Sequence, residues 1–126
     1  MQILVDTSIW IDFFKKREQS LKLDDLLLDD RVVINDIILA ELIPLLHLKK
    51  QFTIIDLLKS VVSYPLNIDW NLIIKWQTMC LNSGLNGIGK PDLLITQNAM
   101  QNNLPVYSLD KHFRSLTNIS GLQLFE

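Results

Sequence analysis

Four acidic residues stand where a carboxylate can do chemistry: Asp6, Glu41, Asp92 and Asp110. Asp6 directly follows the short apolar run Gln2-Ile3-Leu4-Val5 and precedes Thr7 and Ser8, and Asp110 follows Leu104-Pro105-Val106-Tyr107-Ser108-Leu109 in the same way. Glu41 is the single acid in the apolar stretch from Ile37 to about Leu48, and Asp92 lies just after Pro91. An ionised carboxylate against an apolar core is costly unless a cation or hydrogen-bond donors compensate it. Brought together, four such groups repel one another, and protonation or a bound cation must relieve the repulsion. Oxygen ligands with no histidine or cysteine cluster favour Mg2+ or Mn2+ over zinc. A site of that kind can turn a bound water into a nucleophile and neutralise a phosphodiester in the transition state. Three of the acids also have an ordinary structural reading. Asp6 can cap a helix, Glu41 can pair with a nearby lysine or face water, and Asp92 can complement a helix dipole.

Whether the four meet depends on the elements that carry them. Gln2 to Val5 reads as a buried strand, and Thr7 or Ser8 is a good N-cap for a helix bearing Ile9, Trp10, Ile11, Phe13 and Phe14. Asp6 then lies between a strand end and a helix start, where open α/β sheets place their ligand crevice. Ser20 to Asp30 sets Leu21, Leu23, Leu26, Leu27 and Leu28 among acids and a lysine, as an amphipathic helix does. Arg31 to Ile34 is a second strand, and Asn35 or Asp36 starts the helix of Glu41, which Pro44 should kink or break in two. Phe52 to Leu58 forms a further helix, and Val61 to Pro65 a weak strand or extended connection. Asp69 caps a helix carrying Trp70, Trp76 and Cys80, and Ser83 to Gly89 is a glycine-bearing loop without a phosphate-binding spacing. Pro91 suits the first position of a helix running to about Asn102, which puts Asp92 in its first turn. The strand from Leu104 to Leu109 follows, and Gly121 to Phe125 offers a last edge strand.

Strands separated by helices predict a mainly parallel sheet of four to five strands with right-handed crossovers, an α/β fold. All strand C-terminal ends then point the same way, so Asp6 and Asp110 should meet at one edge, with Glu41 and Asp92 joining them. At 126 residues, 48% apolar and 21% charged, the chain is expected to be one domain over residues 1–126 with a real core. The amino terminus lacks a basic region and no run reaches the length of a membrane span, so neither a secretory signal nor a membrane anchor is expected. The single cysteine, Cys80, suits a reducing cytoplasm. A net charge of −2 argues against a general nucleic-acid coating protein, but not against an enzyme that grips a few phosphates locally. Two nearly all-apolar helices in so small a chain point to a face buried against a second subunit.

Four segments in register resemble one family: Val5-Asp6-Thr7-Ser8-Ile9-Trp10-Ile11-Asp12, Leu39-Ala40-Glu41-Leu42, Pro91-Asp92-Leu93-Leu94-Ile95 and Ser108-Leu109-Asp110-Lys111-His112-Phe113. They are similar to the PIN domain, and more closely to the VapC ribonuclease toxins of bacterial and archaeal toxin–antitoxin pairs. The resemblance spans the whole chain. It implies a three-layer α/β/α fold and an acidic pocket of Asp6, Glu41, Asp92 and Asp110. Asp6 and Asp92 match the positions most directly tied to the metal, Glu41 and Asp110 complete its shell, and Thr7 or Ser8 positions a water or a carboxylate. It further implies endonucleolytic cleavage of RNA with Mg2+ or Mn2+, a homodimer, and a cognate antitoxin that blocks the pocket. Lys15, Lys16, Arg17, Lys90, Lys111 and Arg114 are candidates for phosphate contacts. His112 falls on a polar position of the family pattern and receives no catalytic role.

Two rival chemistries lack their residues. A haloacid-dehalogenase-type phosphatase wants a second Asp two residues after the first, where this chain has Ser8. A receiver domain needs its phosphoacceptor Asp after a central strand, and the middle strand has none. The remaining alternative is a PIN fold that binds RNA or a protein partner without cleaving, and retention of all four acids argues against it.

Overall fold

The computed structural model describes residues 1–15 and 22–126. Lys16, Arg17, Ser20 and Leu21, named above as candidate cations or helix residues, lie outside the described residues. The chain runs β1 (Ile3–Val5), α1 (Thr7–Phe14), α2 (Lys22–Leu28), β2 (Val32–Ile34), α3 (Asp36–Leu48) and α4 (Phe52–Ser60). It continues through β3 (Val62–Ser63), α5 (Trp70–Asn82), α6 (Lys90–Gln101), β4 (Val106–Tyr107) and α7 (Lys111–Ser120). The strands form one parallel sheet in the order β3-β2-β1-β4, with Ile3 opposite Val32, Leu4 opposite Val106 and Val33 opposite Val62. Helices cover it in an α/β/α arrangement.

This order follows from the apolar patterning. β1 and β2 are wholly buried runs of Ile, Leu and Val, as strands covered on both faces must be. β3 is exposed and is followed by Pro65, which fits an edge strand. Instead of a fifth strand after Gly121, a single parallel bridge joins Leu124 to Val106. Chain order reverses at β1: β2 and β3 lie on one side of it and β4 on the other. The crevice beyond the C-terminal ends of β1 and β4 is therefore a topological switch point.

Three local expectations change. Asp6 itself is the N-cap of α1, with its side chain accepting from Ser8 N, rather than Thr7 or Ser8. α6 starts one residue early, at Lys90, so Pro91 is its second residue and Asp92 its third. Of the kink or break expected at Pro44, the break does not form, since α3 runs through Pro44 as one helix. Ile38, Leu42 and Leu46, one turn apart and all buried, press both halves of α3 onto the same core, and Pro44 and Ala40 both face outward. Water can thus satisfy the Ala40 carbonyl that lacks the Pro44 donor, and packing outweighs the cost of a helical proline.

A buried polar clasp ties α6 to the chain just beyond the ends of β2 and β3. Asn35 caps α3 by accepting from Ile38 N (3.1 Å), and its Nδ2 donates to Asn98 Oδ1 on α6 (3.0 Å). Asn98 Nδ2 in turn donates to the carbonyls of Tyr64 (3.4 Å) and Pro65 (3.2 Å), beyond the end of β3. Both asparagines are essentially inaccessible, so each bond spares a buried polar group from going unpaired.

Candidate active site

Asp6 sits at the switch point, 5% exposed. Its Oδ2 accepts from Ser8 N (3.3 Å), Ser8 Oγ (2.8 Å) and Ser108 Oγ (2.8 Å). Those donors, with the N-terminus of α1, compensate a charge that burial would otherwise penalise. The serines are themselves held: Leu109 N donates to Ser8 Oγ and Asp110 N to Ser108 Oγ, each at 2.9 Å. Because β4 pairs directly with β1, the loop leaving β4 lies against the loop leaving β1, and one network spans both.

Asp110 caps α7, accepting from His112 N at 2.9 Å. The His112 ring then lies beside both Asp92 and Asp110: Nδ1 is 3.0 Å from Asp92 Oδ2 and 3.6 Å from Asp110 Oδ1. One ligand atom from each of Asp92, Asp110 and His112 lies within 4.8 Å of the other two. Asp92, in the first turn of α6, keeps the dipole placement expected of it. Burial nevertheless raises its pKa, opposed by the His112 hydrogen bond and reinforced by the charges of Asp110 and Asp6.

Glu41 stands apart from that triad on α3, at the exposed rim. It pairs with no lysine or arginine among the described residues. Thr7 Oγ1 donates to its Oε1 at 2.9 Å. Partial desolvation raises its pKa, the Thr7 bond lowers it, and Asp6, Asp92 and Asp110 each raise it again. The four acids therefore sense one another's charge, although Asp6 and Glu41 fall outside the 4.8 Å grouping. Among the described residues, no lysine or arginine forms an ion pair with any of them, and Arg114 pairs with Glu126 instead.

The donor set suits a divalent cation. Carboxylate oxygens outnumber nitrogen, two of the acids hold their protons above the ordinary range, and Asp6 Oδ1 accepts no hydrogen bond among the described residues. Burial first, and like charge after it, raise Glu41 and Asp92, and an ion bound here would offset both.

Sequence reasoning missed Ser108 and His112. The run to Leu109 hides Ser108 inside a strand, whereas β4 ends at Tyr107 and leaves Ser108 in the loop beside Asp6. His112 lies two residues after an N-cap acid, the offset that brings its backbone N–H, and with it the ring, to Asp110. Lys90 and Lys111 open α6 and α7 and are exposed, at the mouth of this crevice by sequence position.

Among solved structures the chain is similar to VapBC2 from Rickettsia felis bound to a DNA fragment from their promoter, at 21% identity over 99% of this chain and 98% of that one, with a TM-score of 0.75. FitAcB from Neisseria gonorrhoeae matches at 22% identity over 99% and 97% of the two chains, with a TM-score of 0.69. VapBC-1 from nontypeable Haemophilus influenzae matches at 25% identity over 100% and 98%, with a TM-score of 0.68. No curated protein sequence gives a significant match. The family model described as PIN domain matches residues 3–118. With nearly its whole length matched and its acids gathered where the sheet's strands end, the chain belongs to the PIN domain family.

Proposed function

We propose that this chain is a metal-dependent endoribonuclease, hydrolysing RNA phosphodiester bonds as the toxin of a VapBC-type toxin–antitoxin pair. The carrying observation is the Asp92–Asp110–His112 cluster at the PIN switch point, beside Asp6 and with no lysine or arginine among the described residues paired with it. The toxin role draws on the fold neighbours, which are described as VapBC and FitAcB assemblies. Residues 1–126 are read as a single PIN domain, acting in the cytoplasm.

In this reading Asp6, Glu41, Asp92 and Asp110 are the catalytic acids and the holders of Mg2+ or Mn2+. When bound, the cation would supply charge neutralisation of the scissile phosphate and a lowered pKa for a bound water. The chain's own part is orientation. Ser8 and Ser108 fix Asp6 by one oxygen and leave the other free, and Thr7 fixes Glu41 at the rim. Glu41, at the exposed rim, takes a proton from the attacking water in this reading. Lys90 and Lys111 are the candidates to meet flanking phosphates.

Two apolar surfaces support protein partners. Leu45, Leu48, Phe52 and Leu57 are exposed on α3 and α4, beside a cavity of about 370 Å3 lined by Ile11, Phe14, Leu42 and Ile54. Trp70, Ile74 and Leu81 are exposed along one stripe of α5. A second copy of the chain and a cognate antitoxin would each bury such a face. No helix among the described residues is long and apolar enough to cross a membrane.

The test is cleavage of a pool of folded RNAs, transfer RNAs included, with Mg2+, Mn2+ or EDTA, alongside Asp6→Ala and Asp92→Asn. Metal-dependent cutting at discrete sites, lost in both variants, is expected. Folded, metal-loaded protein that leaves every RNA intact would favour a binding module without turnover.

A further inference from the structure

We infer that His112 supplies a nitrogen ligand to the metal site and biases it towards Mn2+ over Mg2+. This rests on the metal-site reading proposed above and adds to it one ligand and a metal preference. The cap bond from His112 N to Asp110 Oδ1 brings the two side chains to the same end of α7. His112 Nδ1 is then 3.0 Å from Asp92 Oδ2 and 3.6 Å from Asp110 Oδ1. Two donors at right angles on an ion with bonds of about 2.1 Å lie about 3.0 Å apart. The ring nitrogen is thus already close to the spacing of a shell neighbour from each carboxylate oxygen, before any ion enters.

The other edge of the ring is also accounted for. A Cβ on Gly87 would lie 3.3 Å from His112 Nε2, so the loop backbone closes against that edge and glycine gives it room. The ring is held with Nδ1 towards the carboxylates and Nε2 towards the loop. Binding through Nδ1 leaves the ring proton on Nε2.

Nitrogen in the shell has a chemical consequence. Mg2+ takes oxygen ligands and retains its waters, whereas imidazole binds first-row transition ions. A ring that merely steadied Asp92 by a hydrogen bond would leave an all-oxygen shell and no such bias.

Pulsed electron paramagnetic resonance of the Mn2+-loaded full chain reads this directly, without reference to RNA cleavage. Imidazole 14N coupling to Mn2+ is expected in the parent protein and lost in His112→Gln. Titration of Mn2+ and Mg2+ should show Mn2+ affinity falling about tenfold or more in His112→Gln, with Mg2+ affinity changed by less than about threefold. The chain has only one other histidine, His47, which stacks edge-on against Phe52. His47→Gln should keep the 14N signal, so the assignment holds even if His112→Gln fails to fold. Mn2+ binding that is lost in Asp92→Asn but carries no 14N coupling overturns the inference and leaves the acidic metal site standing. No Mn2+ binding at all removes both.

Discussion

Thr7 Oγ1 donates a 2.9 Å hydrogen bond to Glu41 Oε1, joining the first residue of α1 to the middle of α3 across 34 positions of sequence. Thr7 is one residue from Asp6, so this bond links the rim carboxylate to the buried one through a single backbone step. It also opposes the burial and like charge that raise the Glu41 pKa.

Thr7→Val keeps the shape and removes the donor. Glu41 should then hold its proton to higher pH, so the acidic limb of the pH–rate profile for RNA cleavage is expected to move upward. Stability should change by less than about 1 kcal/mol, because the bond is exposed. A pH–rate profile beside a thermal melt checks both. A uniform loss at every pH would show that Thr7 acts otherwise than through Glu41.

Metal-free stability should decline as pH rises. Glu41 and Asp92 have folded-state pKa values above their ordinary ones, so just above the ordinary range the folded chain binds more protons than the unfolded one. The free energy of unfolding then falls with pH. In EDTA the stabilisation is full below the ordinary carboxylate range and is lost as pH rises through the raised values. Asp92→Asn should flatten that slope and raise the melting temperature at pH 7. A metal-free melting temperature that climbs over this interval would contradict the assignment.

Asn98→Ala removes the centre of the buried clasp. Asn35 Nδ2 and the Tyr64 and Pro65 carbonyls lose their partner, and a small cavity opens. A loss of about 2 to 4 kcal/mol is expected from urea unfolding. A loss under about 0.5 kcal/mol would mean that water replaces the amide.

Pro44→Ala restores a donor opposite the Ala40 carbonyl in an exposed stretch of an unbroken helix. It should stabilise the chain by about 1 to 2 kcal/mol, with the added freedom of the unfolded chain offsetting part of the gain. Differential scanning calorimetry decides it, and a lower melting temperature would show that proline rigidity is worth more than the missing bond.

Much of this molecule is legible locally. β1 and β2 read directly from uninterrupted Ile, Leu and Val, because such runs can only be buried on both faces. Asn35 and Asp69 announce helix starts because their side chains satisfy the first free N–H groups, as they do at Ile38 and Leu72. Asp6 and Asp110 could be assigned to one edge from chain order alone, since parallel strands end on the same side. Where local signals competed, the sequence was ambiguous: Asp6, Thr7 and Ser8 are all capable caps, and Pro44 weakens a helix that packing nonetheless holds together.

The sequence by itself thus determined the succession of strands and helices and the four acids, because periodicity, capping and chain direction act over a few residues. Only the tertiary structure decided their partners. Ser108 reaches Asp6 because β4 lies against β1, Thr7 reaches Glu41 because α1 packs on α3, and His112 reaches Asp92 because α7 starts beside α6. Those contacts join residues 20 to 102 positions apart, and no local pattern encodes which distant side chain will arrive at hydrogen-bonding distance.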